Sequence, residues 1–530
     1  MCDKIVRFFF SHNLYGARVL TNLCTREHCP WYPLGTDMTA MKSPNLLFIF
    51  SDQHSAAVAG CYGDKFVSTP NLDRLAAQGV VFDNAYCTSP LCTPSRMSMI
   101  TAKHPHNVKV WGNNDILRSG TPTMGHALGA AGYDACLVGR LHSVGPDQLL
   151  GYSDRLVGDH HPNWVGVPRL NMGPLQGAAS PDRRSLIQSG PGLSSYEVKD
   201  GDVTEAALQR LDQISAEMES GDRTKFAMTV GYMLPHAPFV TSKEKIEKYL
   251  KLVGLARQRP PEDADEHSWI NRWRHYRNIT DVTEEEELRA RAAYYALVES
   301  LDEMIGRVLD KLEDCGLADN TLVVYSSDHG EQIGERGLWW KHTFFDESVR
   351  VPLIMRWPGV LPEGERREQV ISLVDVTATM LDSMNAPEIP EADGKSFLGV
   401  AKDANAPWRN VAFSEYCYGS QFDWGLETPG QIRMVRKDNF KLVYYSDAPA
   451  QLFDLDSDPD EARDLSDQEA YAEKKSELLD LIFAVWNPET VGQIIEDSIP
   501  AKQLLADWAG NTNPESGYMW EMKPEYNKLF

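Results

Sequence analysis

The stretch Ser89-Pro-Leu-Cys-Thr-Pro-Ser-Arg96 sets a thiol, Cys92, two residues before a proline and four before an arginine, with helix-compatible sequence after it. Thr93 can cap a helix, Pro94 suits a first turn in which no amide hydrogen is needed, and Met97 to Thr101 can continue it. An anionic group is favoured at such a positively polarised helix end. Alone, a Cys-x-Pro-x-Arg reads better as a buried cysteine beside a turn, so the rest of the chain must supply the chemistry. Asp52, Asp328 and His329 offer the hard oxygen and imidazole donors that a divalent cation uses beside an anionic substrate. Arg96, Arg140 and Lys341 are cations for a local basic pocket, and His142 and His236 are groups that can carry protons.

Asn45-Leu-Leu-Phe-Ile-Phe50 is a continuous apolar run, the pattern of a central strand covered on both faces, and Asp52 stands just beyond it. Ala135-Cys-Leu-Val138 delivers Gly139-Arg-Leu-His142, Phe226-Ala-Met-Thr-Val-Gly231 runs into Pro235-His-Ala-Pro238, and Thr321-Leu-Val-Val-Tyr325 runs into Ser327-Asp-His-Gly330. Four strand ends therefore carry the candidate residues, the address of an active site in a mainly parallel sheet. Helical spacing at Met124 to Ala131, Val203 to Met218 and Thr283 to Cys315 supplies covering helices. The predicted fold is α/β: a large, mainly parallel sheet sandwiched by helices, with a smaller C-terminal α+β subdomain. The predicted boundaries are a dispensable N-terminal extension over 1–43, a catalytic domain over 44–395, and a subdomain over 396–530 with a small antiparallel sheet, a helix and a tail. That tail, from about Val491, packs either on its own domain or on a neighbouring copy in a homo-oligomer. Between Ser242 and Asp281 a polar insertion carries Trp269, Arg272, Trp273, Arg274, His275 and Tyr276, a pattern for a solvated lid or packing helix that also suits a sugar-binding rim.

A formal net charge of −24 over 530 residues argues against nucleic acid or an anionic membrane as partner. The nine cysteines are odd in number and irregularly spaced, which fits free thiols in a reducing compartment better than a disulfide framework or a zinc module. Met1 to Leu20 lack the sustained apolar segment and cleavage site of a signal peptide, and no run is long enough to span a membrane. The expected location is cytoplasmic.

Cys-Thr-Pro-Ser-Arg, from Cys92 to Arg96, resembles the maturation signature of the type I sulfatases in the alkaline phosphatase superfamily, and the similarity, strongest with choline sulfatase-like members, runs from about Pro44 to about Leu465. The resemblance implies that a formylglycine-generating enzyme oxidises Cys92 to formylglycine, whose hydrated aldehyde attacks a sulfate ester through one hydroxyl and expels sulfate through the other. An unmodified thiolate would be left carrying the sulfuryl group with no internal route of release. The resemblance further implies Asp52, Gln53, Asp328 and His329 as metal ligands, Gln53 standing where many sulfatases have a second aspartate. Calcium is the implied ion, with Mn2+ or Mg2+ as alternatives that a histidine ligand leaves open. Arg96 matches the signature arginine, and Asn113, Arg140, His142, His236 and Lys341 match residues that line the sulfate. His142 would accept a proton, and His236 and Lys341 would serve the departing alcohol. Arg140 replaces the usual lysine, which favours binding over proton donation. Val144-Gly-Pro-Asp-Gln-Leu149 and Gly334-Glu-Arg-Gly-Leu-Trp339 are choline sulfatase-like, but Val167 stands where those enzymes carry a cage tryptophan, with Trp164 three residues earlier. The expected substrate is therefore a sulfated saccharide, contacted by Trp164, Arg183, Arg184, Trp269, Arg272, Trp273 and His275. Choline sulfate, and a phosphonate monoester or phosphodiester, are the alternatives.

Overall fold

The apolar runs assemble into one sheet, seen in a computed structural model that describes residues 44–168, 170–260, 266–418 and 430–530. The expected extension over 1–43 lies outside the described residues. The strands are β1 (Asn45–Asp52), β2 (Val80–Tyr86), β3 (Ala135–Gly139), β4 (Asp154–Leu156), β5 (Ala227–Pro235), β6 (Thr321–Ser327), β7 (Leu353–Arg356) and β8 (Glu365–Ser372), in the order β8-β2-β7-β6-β1-β5-β3-β4. β1 is central and parallel to both neighbours, Leu46 lying opposite Ala227 of β5 and Leu322 of β6. Among the described strands of this sheet, only β7 and the short Arg350–Val351 run antiparallel to their partners.

The unbroken hydrophobicity of residues 46–50 follows from burial on two sides. Leu46, Phe48 and Phe50 pack with the helices Cys92–Thr101 and Leu373–Ser383, while Leu47 and Ile49 face the helices Ser195–Ser220 and Glu284–Asp314. The last of these is started by a capping box between Thr283 and Glu286.

The expected cap at Thr93 is two residues too late. Leu91 is the extended residue before the helix, Cys92 is its first residue, and the first helical bond runs from Ser95 N to Leu91 O at 3.1 Å. Thr93 is tied elsewhere, its N–H donating to Asn113 Oδ1 at 3.0 Å and its hydroxyl to His142 O at 3.3 Å. Pro94 still falls in the first turn, where its missing N–H costs nothing. Cys92 itself thus occupies the helix start.

A second, antiparallel sheet is built from Val411–Tyr418, Gly430–Lys437, Phe440–Tyr445 and Gln451–Asp454. One face, with Val435 and Leu442, packs on Leu478, Ile482, Val491 and Ile495 of the helices Ala472–Phe483 and Pro488–Thr512. The other, with Tyr416, Ile432, Met434 and Val443, joins the core under the central sheet. The described residues from 44 onward accordingly pack as one unit. After Thr512 the tail returns over its own chain: Trp520 N donates to Asp159 O at 2.7 Å, and Lys528–Leu529 pairs with Gly190–Leu193. Gly158 permits the approach, since a Cβ there would lie 1.4 Å from Tyr518 O. Among the described residues, no helix is long and apolar enough to cross a membrane.

Candidate active site

β6, β1, β5 and β3 are neighbours, so the four strand ends stand side by side. Asp52 closes β1, Asp328 and His329 follow β6, His236 follows β5 and Arg140 follows β3. Asp52 and Asp328 are buried, and arginines hold one oxygen of each: Arg96 Nε donates to Asp328 Oδ2 at 2.8 Å and its terminal nitrogen to Asp52 Oδ2 at 3.2 Å, while Arg140 Nε reaches Asp52 Oδ2 at 2.5 Å. Burial alone would raise the Asp52 carboxyl, but Arg140, His236, Arg96 and Lys341 overcome it and hold the group well below the usual carboxylate range.

The other oxygens turn inward. Asp52 Oδ1 lies 3.8 Å from His329 Nε2 and 3.6 Å from Cys92 Sγ, and Asp328 Oδ1 lies 3.6 Å from the same imidazole nitrogen. Ligand atoms from Asp52, Cys92, Asp328 and His329 all fall within 4.8 Å of one another. His329 Nδ1 faces Gly330 O at 3.0 Å, which assigns the hydrogen to Nδ1 and leaves the Nε2 lone pair toward the cluster. Burial pushes this histidine down to about 4, so the ring is neutral near neutral pH. Two inward carboxylate oxygens beside a neutral imidazole are a fitting donor set for a hard divalent cation.

Gln53 connects this cluster to Lys341. Its N–H donates to Asp328 Oδ1 at 3.0 Å, its Nε2 donates to Glu331, and its Oε1 accepts from Lys341 Nζ at 2.8 Å. The residue sits at φ 69°, a left-handed conformation that Tyr294 stabilises through a 2.7 Å bond to Gln53 O. Lys341 Nζ also reaches Cys92 Sγ and His236 Nε2, each at 3.0 Å. His236 Nδ1 faces Ala237 O at 2.6 Å, so Nε2 is the nitrogen available toward Lys341. On the other flank a terminal nitrogen of Arg140 contacts His142 Nδ1 at 2.7 Å. Burial, with Arg140 and His161 nearby, holds His142 well below its ordinary value and keeps the ring neutral. Cys61 and Cys136 differ from Cys92 in setting: burial pushes both thiols up to about 12, whereas Cys92 touches an ammonium and an imidazole.

Cys92, Asn113, Arg140, His142, Trp164, His236 and Lys341 line a cavity of about 630 Å3. Arg96 and the metal-donor candidates Asp52, Gln53, Asp328 and His329 are buried beside it without lining it. Trp164 stands edge-on to Trp508 of the helix Pro488–Thr512, ring centres 5.0 Å apart. The insertion residues expected at a sugar-binding rim, Trp269, Arg272, Trp273, Arg274, His275 and Tyr276, do not line the cavity. Trp269 and Trp273 are buried, stacked on each other at 6.0 Å, and packed against Tyr445 and His342, as aromatic residues one helical turn apart commonly are in a core. Arg183 is paired with Asp281 and Glu286, Arg184 with Asp182 and Arg272 with Asp447, while His275 Nδ1 contacts Asn271 O; none of these lines the cavity.

Pattern reading missed His160, His161, Tyr196, Arg277 and His342, which do line it. It also missed Asp159, which accepts from Leu141 N at 3.3 Å, His142 N at 2.8 Å and Arg155 at 2.6 Å, and so fixes the loop carrying Arg140 and His142. The rule that finds residues at strand ends covers Asp159, His160 and His161 too, but β4 has three residues and leaves no periodic trace.

The His236 loop has its own support. Asp200 accepts from Met233 N and Leu234 N at 2.8 Å, just ahead of that histidine. Burial nevertheless pushes the Asp200 carboxyl up to about 7. The folded chain therefore keeps a proton there that the unfolded chain gives up near 3.8, so this group's contribution is complete below 3.8 and is lost as pH rises through 7. In Asp200→Asn, which retains an acceptor oxygen, that loss is absent. Thermal unfolding followed from pH 4 to pH 8 should show wild type losing roughly 1–3 kcal/mol relative to the variant. A constant difference across that range would refute the assignment.

Comparison with known proteins agrees with this geometry. A family profile described as Sulfatase matches residues 44–386, and one described as N-sulphoglucosamine sulphohydrolase, C-terminal, matches residues 334–486. The chain is 31% identical over 507 residues to a choline-sulfatase of Rhizobium meliloti (strain 1021), covering 91% of this chain and 94% of that protein. It is 25% identical over 511 residues to an N-acetylglucosamine-6-O-sulfatase of Bacteroides thetaiotaomicron, covering 83% and 86%. The phosphonate monoester hydrolase of Agrobacterium radiobacter has a similar fold, with a TM-score of 0.68 at 21% identity over 83% of this chain and 95% of that one.

Proposed function

This chain belongs to the sulfatase family, and from that membership we propose that it releases inorganic sulfate from a sulfated saccharide. It is a sulfuric ester hydrolase. The observation that carries the saccharide reading is the cavity at Cys92: its volume of about 630 Å3 is in the range that encloses a drug-sized ligand, and no described Asp or Glu lines it. The trimethylammonium end of a choline leaving group would meet no carboxylate among the described lining residues and, at Val167, no aromatic face.

Asp52, Asp328 and His329 would hold the divalent metal, calcium by their oxygen-rich donor set, with Gln53 beside them. When bound, that ion supplies positive charge against the sulfate oxygens and acidifies the nucleophile. Oxidation of Cys92 by a formylglycine-generating enzyme supplies an aldehyde hydrate in place of the thiol. The remaining work falls to this chain's side chains. Arg96 anchors Asp52 and Asp328, so neither carboxylate must reorganise. Arg140 and Lys341 face the sulfate with fixed positive charge, and Arg140, always protonated, binds without giving up a proton. His142, held neutral, is a base lining the same cavity as Cys92, and His236 with Lys341 stands where a departing alkoxide needs a proton.

The test is sulfate release from a panel of choline sulfate, defined 2-, 3-, 4- and 6-O-sulfated saccharides, an aryl sulfate and a phosphonate monoester, before and after chelation of divalent metal. A saccharide sulfate should give the highest kcat/KM, and chelation should abolish turnover. Preferred hydrolysis of choline sulfate or of the phosphonate would overturn the proposal.

A further inference from the structure

Resting on the role given to Lys341 in sulfate release, we infer that Glu331 is the positioning residue for Lys341, and that it acts by fixing which end of the Gln53 amide faces the ammonium. Glu331 lies just past the end of β6, is fully buried and does not line the cavity. Its influence on a substrate must therefore pass through other groups, and two routes lead from it to Lys341.

The first route is the side chain of Gln53. A lysine ammonium donates and has no acceptor capacity, and the contacts of Lys341 Nζ are Gln53 Oε1 at 2.8 Å, Cys92 Sγ at 3.0 Å and His236 Nε2 at 3.0 Å. The Gln53 amide must present its oxygen to that ammonium and its NH2 to the opposite side, where Glu331 Oε2 accepts from Nε2. An amide, unlike a carboxylate, has a wrong way round: turned over, it sets an NH2 against the ammonium. Glu331 offers Gln53 only an acceptor and so excludes the wrong orientation. The second route is the main chain. Glu331 Oε1 accepts from Trp340 N at 2.5 Å and Ile333 N at 3.0 Å, and Trp340 O accepts from Gln332 N at 2.9 Å. Trp340, the residue before Lys341, is buried and left-handed at φ 63°. One carboxylate thus holds both the backbone that carries Lys341 and the amide that receives its proton.

Glu331→Gln tests the first route while sparing the second. The new amide can keep its oxygen on Trp340 N and Ile333 N, which leaves its NH2 facing Gln53. Gln53 then turns over or loses a partner, and Lys341 loses an acceptor. For the sulfate esters that wild type hydrolyses, kcat/KM should fall about 10- to 100-fold, and calorimetric affinity for inorganic sulfate, read on the chain after chelation of divalent metal, should fall roughly tenfold or more. Adding Gln53→Glu exchanges the two groups, so that the carboxylate at 53 accepts from both Lys341 and the amide at 331; the double variant should recover most of both losses. Gln53→Glu alone sets two buried carboxylates in contact and should not exceed wild type. If Glu331→Gln fails to fold, recovery of folding and turnover in the double variant supports the exchange. A double variant as impaired as Glu331→Gln, wild-type turnover and sulfate affinity in Glu331→Gln, or Gln53→Glu more active than wild type would each overturn the inference. If sulfate affinity follows the expected pattern while no ester is hydrolysed, the hydrolytic proposal fails and the role of Glu331 stands. Hydrolysis by wild type with no effect of Glu331→Gln gives the reverse.

Discussion

Cys92→Ala should abolish sulfate release, with a loss of at least about three orders of magnitude in kcat and little change in melting temperature. The two halves of that expectation have different physical origins. Cys92 Sγ is the atom on which Lys341 Nζ, His329 Nε2 and Asp52 Oδ1 converge, at 3.0, 3.2 and 3.6 Å, and the same residue lines the cavity. Among the described residues, no second cysteine belongs to that cluster. Stability is governed elsewhere. The helix Cys92–Thr101 is held by Met97, Met99 and Ile100 in the core, and the buried charges by Arg96 between Asp52 and Asp328. Truncation at Cys92 removes one sulfur facing a cavity and breaks neither set. Cys92→Ser should be equally inactive, and intact-peptide mass spectrometry of active wild type should show the CH2SH side chain replaced by CHO. Turnover by the alanine variant, or full activity from protein containing only unmodified cysteine, would defeat the nucleophile assignment.

The comparable loss from Arg96→Ala would have another cause. Removing a guanidinium that is 0% exposed leaves the buried Asp328 without its arginine and Asp52 with Arg140 alone, and breaking a buried pair in this way costs roughly 3–5 kcal/mol. An inactive Arg96 variant therefore reports on stability as much as on catalysis, whereas Cys92 separates the two.

What could be read from the chain divides along physical lines. β1 was legible because burial on both faces leaves no polar position between Leu46 and Phe50, and Asp52, Arg140, His142, His236, Asp328 and His329 were legible because each follows such a run. Their convergence was an inference from strand ends in parallel sheets, and it holds because β6, β1, β5 and β3 are adjacent. The insertion of antiparallel β7 between β2 and β6 has no local signature, nor has the approach of the tail to Gly158, which depends on residues far apart in sequence. Trp269 and Trp273 misled because aromatic residues four apart on a helix serve a core and a binding rim equally well until their neighbours are known. Asp159 was hidden by the brevity of β4, and Arg277 by the polar insertion around it. The chemistry of sulfate cleavage was thus readable in linear sequence, while the determinants of the leaving group depended on tertiary packing.

That division sets the expectation for His236 and Lys341, which stand between the sulfate and the leaving group. His236→Ala should slow hydrolysis of alkyl and sugar sulfates by about two to four orders of magnitude, and should slow aryl sulfates with acidic phenols much less. The orientation of the imidazole is the reason. Its Nδ1 is bound to Ala237 O, which directs Nε2 to Lys341 Nζ at 3.0 Å, and that ammonium is 3.0 Å from Cys92 Sγ. A proton held between these two nitrogens is near the bond that must break, and an alcohol of high pKa cannot depart without it. A phenolate can leave unassisted, so the variant should show a steeper dependence of rate on leaving-group pKa than wild type. Lys341→Met removes the shared proton and also the charge facing the sulfate, and should depress both substrate classes; Lys341→Arg, which keeps charge but not a transferable proton, should reproduce the His236 pattern in part. Should His236→Ala slow aryl and sugar sulfates by the same factor, the imidazole would be a binding group and proton delivery would have to be reassigned.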